Sequence, residues 1–334
     1  MPAHGKVDSD FLRRVVYPHL GADREEVRLG PTHGVDFGVV EVGGKALVVA
    51  TDPISILPRL GFERAARFAL DVVLADVAVS GLRPAYLSIE FTLPPEMSDT
   101  EFERVWTEID REASDLGTSV VTGHTARYEG CAYPWIGGAT ALAVGEFEEI
   151  VRPDGARPGD AVIVSTGPGV EAVGLLSTLF GDRMGLPRET IEEGRERLAE
   201  TDTVRDALTV AAAGEVSAMH DATECGVQGA LCEMAASSGA RFEIEQERAP
   251  LRPGVEDVCT FLDVDPWQVT SSGTLLITAP LAESEYVLDA LESRGTAAAI
   301  VGRVAGGGGV YFDGEEVTHP QVDPSWQIYA EYAE

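Results

Sequence analysis

Acidic residues at the ends of predicted secondary-structure elements are the first candidates for chemistry in this sequence. Two β-branched runs, residues 37–42 and 45–51, are separated by Gly-Gly, the two-residue hairpin signal. In the register that this loop sets, Asp36 and Asp52 arrive together at the open end of the hairpin. Because side chains alternate along a strand, the pattern leaves open whether both carboxylates face one way. A turn-forming role for both residues is the alternative.

A second acidic signal lies inside a predicted helix. Residues 68–79 are apolar almost all round, which is typical of a buried helix, yet they include Asp71 and Asp76. A buried carboxylate costs several kcal/mol unless it is paired, hydrogen-bonded or bound to a metal. No Lys or Arg lies within one helical turn of Asp76, which favours a hard cation with oxygen ligands as its partner. The alternatives are that Asp76 caps the next loop or meets Arg67 or Arg83.

Two glycine-containing segments follow predicted strands. Residues 121–125 predict a turn that places His124 between Gly123 and Thr125, although a lone histidine is more often structural. Residues 165–171 join a strand to a helix through Gly167 and Gly169, a geometry that presents backbone N–H groups to a phosphate. This second segment lacks the P-loop lysine and the full G-x-G-x-x-G spacing, so its nucleotide signal is weak.

A third segment, residues 219–226, is predicted to open a helix with Asp221 and Thr223 as candidate caps. A nucleophile triad has little support, because no serine lies in G-x-S-x-G and Cys225 has only His220 as a nearby histidine. The sequence leaves open the roles of His33, His220 and Cys225.

These residues must be positioned by a mixture of helices and strands joined by short turns, an α+β or α/β pattern. The predicted strands are residues 37–42, 45–51, 84–93, 119–122, 137–145, 161–165, 274–278 and 299–304. The predicted helices are residues 62–80, 99–116, 170–180, 204–213 and 224–237. A stretch rich in Pro, Gly and charge at 148–160 predicts a boundary between domains 1–150 and 151–334.

Charge is the main feature of the composition. The 334 residues contain 25 Lys plus Arg against 56 Asp plus Glu, a formal charge of -31, with 44% hydrophobic residues. The apolar fraction is enough for a folded core, while the charge argues against binding nucleic acid or an anionic membrane. Only two of the basic residues are lysines, Lys6 and Lys45. This bias predicts adaptation to high salt, where screening tolerates an acidic surface; an ordinary acidic cytosolic protein is the alternative.

The cysteines and the hydropathy pattern address location. The four cysteines form no C-x-x-C and are interpreted as free thiols of a reducing compartment: Cys131, Cys225, Cys232 and Cys259. The first residues have no apolar signal-peptide core, and no run of 18 uncharged apolar residues occurs. The expected location is the cytoplasm.

Six motifs, in this order, resemble the superfamily of aminoimidazole ribonucleotide synthetase (PurM), which includes HypE-type hydrogenase maturation factors, thiamine-monophosphate kinase and selenophosphate synthetase. The resemblance extends from about residue 36 to 304. The motifs are Thr51-Asp52 and residues 75–84, 122–125, 159–160, 219–223 and 271–277.

The resemblance implies a two-domain, PurM-like α+β fold with an N-terminal β-sheet domain that forms a homodimer and a C-terminal α+β domain. It also implies ATP and Mg²⁺ as cofactors and a small-molecule substrate. Carried over by position, the metal ligands are Asp36, Asp52 and Asp76, and the catalytic residues are Asp221 and His124. The implied nucleotide-binding residues are Gly123, Thr125, Gly167, Gly169, Thr223 and Gly226.

The sequence also departs from the family pattern. HypE-type members end in a cysteine that carries the group being dehydrated, whereas the last cysteine here is Cys259. The residue before Asp221 is His220 instead of the usual Arg, and Cys225 replaces the usual Gly. The sequence therefore predicts a divergent HypE-like enzyme. Deleting the residues after Ser325 should affect its turnover little, because they hold no group able to carry an intermediate.

The expected reaction is phosphoryl transfer from ATP to an amide or carboxylate oxygen of a small molecule. The alternatives are a small-molecule kinase of the thiamine-monophosphate type and a non-catalytic ATP-binding accessory or sensor protein.

Overall fold

The computed structural model describes residues 5–7 and 9–333 and divides into two compact units. The smaller unit consists of Glu26–Gly30 and Asp36–Ile150, and the larger unit contains the remaining segments, Met1–Glu25, Pro31–Val35 and Val151–Glu334. Helices and strands occur in both units. The predicted α+β class is therefore confirmed.

Thirteen strands lie in the described part of the chain. They are β1 (Val27–Leu29), β2 (Gly38–Val42), β3 (Lys45–Ser55), β4 (Tyr86–Leu93), β5 (Ser119–Arg127), β6 (Trp135–Gly145), β7 (Asp160–Ser165), β8 (Ala218–Asp221), β9 (Arg241–Ile244), β10 (Leu275–Pro280), β11 (Ala298–Ala305), β12 (Gly309–Phe312) and β13 (Glu315–Val317).

Ten α-helices lie in the same residues, together with short 3-10 segments and one π-helical segment. They are α1 (Ser9–Phe11), α2 (Phe62–Ala78), α3 (Asp99–Leu116), α4 (Val170–Phe180), α5 (Arg188–Glu196), α6 (Thr203–Ala213), α7 (Gly226–Ser238), α8 (Val255–Phe261), α9 (Ser284–Arg294) and α10 (Pro324–Ala333).

The smaller unit is a six-stranded sheet with the order β1-β2-β3-β6-β4-β5. Helix α2 packs on β3 and β6, and α3 packs on α2, so one face of the sheet is covered. Strand β5 lies at the edge and pairs only with β4, in parallel. All residues of β5 except Ala126 are exposed.

The larger unit contains a seven-stranded sheet with the order β13-β12-β9-β11-β7-β10-β8. Every residue of the interior strand β7 is buried, as expected for a strand covered on both faces. Helix α7 packs over β8, β9, β10 and β12. The core here is formed by Val162, Val164, Leu231, Met234 and Phe242 and their neighbours.

Elements with strong local signals form where the sequence predicts them. The hairpin pairs Val42 with Lys45 around the Gly-Gly loop, and α3 spans the predicted residues. At the start of α3, Ser98 accepts from the Glu101 N–H while the Glu101 carboxylate accepts from the Ser98 N–H. This reciprocal capping box fixes where the helix begins.

Two predictions of local structure are wrong. Residues 121–125 do not form a turn but continue β5, where Gly123 pairs with Ile89 and His124 with Glu90. The β-branched run extends past the glycine, so pairing with β4 prevails over the glycine signal.

The segment 219–226 is also different from the prediction. Met219–Asp221 belong to β8, and α7 begins only at Gly226. The N-cap residue of α7 is Cys225, whose backbone is in the left-handed region and whose side chain makes no capping hydrogen bond. The predicted caps, Asp221 and Thr223, are therefore not the N-cap of this helix.

Candidate functional site

The three aspartates predicted to bind metal all lie in the smaller unit. Asp36 lies two residues before β2, Asp52 lies in β3 opposite Ala139, and Asp76 lies in the last turn of α2. The helix packs against β3, the strand that carries Asp52.

The burial of these aspartates differs from the expectation. Asp36, Asp52 and Asp76 are each partly buried, whereas the fully buried carboxylate of α2 is Asp71. The prediction of a buried Asp76 is therefore wrong, because the side of the helix that carries it is less covered than its apolar neighbours suggest. Partial exposure leaves the Asp76 carboxylate accessible to an ion.

The donor set is of the kind that suits a magnesium ion, since all three side chains are carboxylates. Arg67 contacts Glu112 at 3.3 Å, and Arg83 donates to the Leu116 carbonyl at 3.2 Å. Carboxylate oxygens are the ligands that Mg²⁺ prefers in proteins. Metal binding by the three aspartates remains a prediction.

The predicted residues Gly123, His124 and Thr125 lie on the exposed edge strand β5. His124 Nε2 lies 3.0 Å from the hydroxyl of Tyr128, within hydrogen-bond distance. A Cβ on Gly123 would lie 2.3 Å from the Ile89 carbonyl oxygen, so this close strand pairing requires glycine. The structure gives these residues positions in the sheet, and their role toward a nucleotide remains a prediction.

The predicted phosphate-binding turn after β7 is buried, and its amides donate to protein acceptors. Gly167 N–H donates to the Ser165 carbonyl at 2.5 Å, and Gly169 N–H donates to Ser271 Oγ at 2.8 Å. Gly169 is the left-handed N-cap of α4, and the carbonyl of Thr270 accepts from the Ala172 N–H. The turn therefore has a packing role, while its assignment to a phosphate remains a prediction.

Asp221 and Thr223 lie at the end of β8 and in the loop before α7. Asp221 is 3% exposed, and Thr223 accepts from the Gly226 N–H through its carbonyl at 3.0 Å. Lys6 Nζ donates to Thr223 Oγ1 at 3.2 Å, and the Lys6 N–H donates to Glu224 at 2.8 Å. These contacts link the beginning of the chain to the loop that follows Asp221.

The larger unit contains a histidine cluster around Glu233 of α7. His220 Nε2 lies 3.0 Å from Glu233 Oε2, while His33 Nδ1 and His319 Nε2 each lie 3.7 Å from Glu233 Oε1. His220 is also the neighbour of Asp221, with Nδ1 3.8 Å from its carboxylate. Glu233 and His319 were not predicted from the sequence, because neither lies in a motif and the cluster joins distant segments.

The electrostatics of this cluster are dominated by the Glu233 carboxylate. Burial alone would raise its pKa, but the hydrogen bond from His220 and the neighbouring His319 and Lys6 hold the pKa of Glu233 well below its usual value. Burial lowers the pKa of His33, whereas interaction with Glu233 raises that of His319. Glu233 is thus ionised over the physiological range.

Cys225 shows no sign of a reactive thiol. Burial, together with the charges of Asp323 and Glu224, raises the pKa of the Cys225 thiol to about 12. The reactive form of cysteine is the thiolate, so this residue is not a nucleophile in the described environment.

Asp323 is a buried carboxylate that caps helices and that no motif in the sequence indicates. Its Oδ2 accepts from the Cys225 N–H at 2.7 Å, and its Oδ1 accepts from the Ser325 N–H at 2.8 Å. One buried side chain therefore serves the beginnings of both α7 and α10. Burial raises the pKa of Asp323 in spite of these hydrogen bonds.

Among the residues that the structure describes, no helix combines the length and apolar character needed to cross a membrane.

The fold and the acidic residues together define a class of protein. It is a two-unit α+β protein with candidate carboxylates in both units, Asp52 and Asp76 in the smaller and Asp221 in the larger. Residues 34–144 match the N-terminal domain of the AIR synthase related proteins, and residues 157–315 match their C-terminal domain. The chain belongs to this AIR synthase related family, and the resemblance predicted from the six motifs is confirmed.

Individual relatives support the HypE-like branch. The hydrogenase expression/formation protein HupE of Azotobacter chroococcum mcd 1 is 31% identical over 276 residues, covering 81% of this chain and 79% of that protein. Carbamoyl dehydratase HypE of Escherichia coli (strain K12) is 28% identical over 314 residues, covering 92% and 89% respectively. The solved structure of AaThiL complexed with AMPPCP and TMP is similar with a TM-score of 0.69 and 25% identity, covering 88% of this chain and 91% of that chain.

Proposed function

We propose that this protein uses ATP to activate an amide or carboxylate oxygen of a small molecule by phosphoryl transfer. Phosphorylation turns a carbonyl-type oxygen into a leaving group, which is the chemistry that a dehydration of an amide requires. A relative named carbamoyl dehydratase supports this class of substrate.

Family membership and the curated relatives make the chain an ATP-dependent enzyme of the PurM-like class. The single observation that carries the proposed reaction is the acidic set of the smaller unit: Asp36 just before the β2-β3 hairpin, Asp52 within it and Asp76 on the helix packed against it. Phosphoryl transfer depends mainly on positioning and on neutralising phosphate charge.

The three aspartates would hold Mg²⁺, and a bound Mg²⁺ supplies charge neutralisation at the phosphates. We assign Asp221 to the acceptor side of the reaction. Its carboxylate is held at the end of β8, where it would orient the acceptor or take its proton. His124 would act from β5, where its imidazole is exposed beside Tyr128.

A homodimer that forms through the smaller unit is part of the proposal. Apolar side chains are exposed on its sheet, at Tyr86, Val121, Trp135 and Val144. An exposed edge strand offers unpaired backbone groups to a second chain. Sedimentation should therefore give twice the mass of one chain, and Val121→Glu should shift it toward the monomer; a wild-type monomer at all concentrations would contradict this part.

The second candidate is a kinase, for which the phosphorylated acceptor is the final product. It is favoured by the similarity in fold to AaThiL, which was solved in complex with AMPPCP and TMP and is 25% identical. A non-catalytic ATP-binding accessory protein is the third. The three candidates differ in their products: phosphate plus a dehydrated compound, a stable phosphorylated acceptor, or no turnover.

The test is ATP turnover, measured as ADP, with separate panels of amides, carboxylates and phosphate monoesters. The proposal predicts that an amide or carboxylate accelerates ADP formation through positioning, and that Asp221→Ala removes the acceleration. Stimulation only by phosphate monoesters, with a stable diphosphate product, would favour the kinase. ATP binding without turnover across all panels would favour the accessory protein.

A further inference from the structure

The histidine cluster around Glu233 reaches Asp221, the carboxylate proposed for the acceptor side of the reaction. His220 and Asp221 are the last two residues of β8, Glu233 lies in α7, and the helix packs against the strand. His220 and Asp221 are each 3% exposed. A buried polar group that is well hydrogen-bonded is held in one arrangement by its neighbours. The neighbours of Asp221 therefore determine how its carboxylate meets an acceptor.

The backbone of Asp221 is fixed by strand β10. Asp221 pairs with Leu275, and the next residue, Ala222, donates its N–H to the Thr274 carbonyl at 2.9 Å. Since these bonds hold the main chain, the freedom that remains to Asp221 is rotation of its side chain. The side chain that limits this rotation is the question of interest.

His220 meets Asp221 at the end of the strand. Neighbouring side chains on a strand ordinarily point to opposite faces of the sheet. His220 Nδ1 nevertheless lies 3.8 Å from Asp221 Oδ1, because β8 ends at Asp221 and the alternation is no longer imposed there. The imidazole of His220 thus forms one wall beside the Asp221 carboxylate.

Glu233 holds the other edge of the His220 ring. His220 Nε2 lies 3.0 Å from Glu233 Oε2. Burial alone would raise the pKa of Glu233, but the hydrogen bonds from His220 and His319 hold the pKa well below its usual value, so the side chain is ionised. A carboxylate only accepts, and Nε2 of His220 is therefore the donor. Charge-assisted hydrogen bonds of this kind are among the strong ones, so the contact fixes the orientation of the ring.

The Glu233 carboxylate is itself held on its second oxygen. His319 Nε2 faces Glu233 Oε1 at 3.7 Å, and His319 Nδ1 lies 2.6 Å from the Pro320 carbonyl oxygen. The hydrogen bond with Glu233 raises the pKa of His319, which favours the charged ring with a donor at both nitrogens. One carboxylate is thus held between two imidazoles, and the segment after β13 helps to fix the position of Glu233.

We propose that Glu233 and His220 are positioning residues for Asp221. Glu233 holds the His220 ring at Nε2, and the opposite edge of the ring, at Nδ1, limits the orientations of the Asp221 carboxylate. The role of Asp221 toward an acceptor rests on the proposed function, whereas the contacts that position it lie within the larger unit. Glu233 acts here only through His220.

The first experiment detects the positioning without any turnover. In the full chain labelled with ¹⁵N-histidine, NMR should show a protonated Nε2 for His220, identified as the signal that His220→Gln removes. Asp221→Asn should shift the His220 Nδ1 signal, and Glu233→Gln should shift Nε2 and change the response of Nδ1 to Asp221→Asn. An Nδ1 signal that does not respond to Asp221→Asn would overturn the proposal, as would the same response with and without the Glu233 carboxylate.

The second experiment measures acceptor-stimulated ADP formation. A small misplacement of a reacting group lowers the rate strongly, so Glu233→Gln and His220→Ala should lower kcat by at least about tenfold. The KM for ATP should change by less than about twofold, since binding of the nucleotide is not what these residues affect. The double variant should be no slower than His220→Ala, because two residues that act in series give non-additive losses. Additive losses, or a higher KM with unchanged kcat, would overturn the proposal.

Two variants separate positioning from a structural effect. The amide of His220→Gln can still donate to Glu233, so this variant should retain more activity than His220→Ala. His33→Gln is the matched control, because His33 Nδ1 lies 3.7 Å from the other Glu233 oxygen, Oε1, and kcat should stay within about twofold of wild type. A loss in His33→Gln as large as that in Glu233→Gln would assign the effect to loosening of the whole cluster and overturn the proposal.

The two experiments also distinguish this inference from the proposed function. A wild-type protein that no acceptor stimulates would contradict the proposed function, while the imidazole spectra would still decide whether Glu233 positions Asp221 through His220. If Glu233→Gln does not fold, the spectra of wild type and Asp221→Asn decide the contact, and an unresponsive Nδ1 overturns it.

Discussion

Asp323 should be among the most sensitive single residues of the larger unit. Its carboxylate accepts from the Cys225 N–H, the Ser325 N–H and the Ser325 hydroxyl, and the Asp323 side chain is buried. Asp323→Ala removes every one of these acceptors. The beginnings of α7 and α10 lose their cap in one substitution.

The magnitude follows from these contacts. A lost helix cap costs about 1 kcal/mol, and a buried donor left without an acceptor costs about 1–3 kcal/mol. Burial raises the pKa of Asp323, so removing the carboxylate also relieves a desolvation cost that offsets part of the loss. We expect a net loss of about 2–3 kcal/mol of unfolding free energy.

The assay is urea unfolding at constant high salt, combined with hydrogen exchange of the Cys225 amide. Asp289→Ala is the matched control, because Asp289 is an exposed carboxylate on α9 and surface substitutions usually change stability by less than about 0.5 kcal/mol. Asp323→Asn keeps one acceptor oxygen and should cost less than Asp323→Ala. A cost for Asp323→Ala no greater than that of the control, with the Cys225 amide still protected, would refute the double-cap reasoning.

Two further predictions concern charge. The charge of -31 predicts that the unfolding temperature rises between low salt and about 2 M KCl, since screening relieves self-repulsion; a flat or falling temperature would contradict the high-salt adaptation. Hydrogen bonds from the Ser98 N–H and hydroxyl lower the pKa of Glu101 at the start of α3. The folded pKa lies below the unfolded one, so this stabilisation is complete above the unfolded value near 4.5 and is lost as the pH falls through the folded value. The stability difference between wild type and Glu101→Gln should therefore shrink on acidification, and a difference that is constant from pH 7 to the acid limb would contradict the assignment.

Elements specified by neighbouring residues were predictable from the sequence. The β2-β3 hairpin follows from its Gly-Gly loop, and α3 follows from the capping box of Ser98 and Glu101 and the glycine after its last turn. The order of the acidic and glycine-containing motifs was also enough to indicate the family, as the comparisons confirm.

Features that depend on distant segments were not predictable in the same way. Gly123 and His124 look like a turn, and only pairing with β4 makes them part of a strand. The cluster around Glu233 brings together residues 33, 220 and 319, so no local spacing indicates it.

The end of the described chain shows the same limitation. The expectation that deleting the residues after Ser325 affects turnover little stays a prediction. The same residues form most of α10, with Ile328 buried and Tyr329 against the ring of Phe180. The spacing of apolar residues in a ten-residue segment does not reveal which surface the segment covers. The capping of both α7 and α10 by Asp323 depends on the two helices being adjacent in the fold. This segment has a packing role that the sequence did not indicate.

Metal binding by the acidic set of the smaller unit can be measured by calorimetry of ATP at fixed Mg²⁺. Asp76→Asn keeps the shape of the side chain and removes its charge, while Asp110→Asn makes the same change at an exposed position of α3. We predict that Asp76→Asn weakens Mg²⁺-dependent ATP binding by at least about tenfold, equivalent to about 1.4 kcal/mol, with Asp110→Asn unchanged. Equal ATP affinity of wild type, Asp76→Asn and Asp110→Asn at the same Mg²⁺ concentration would contradict metal binding by this acidic set.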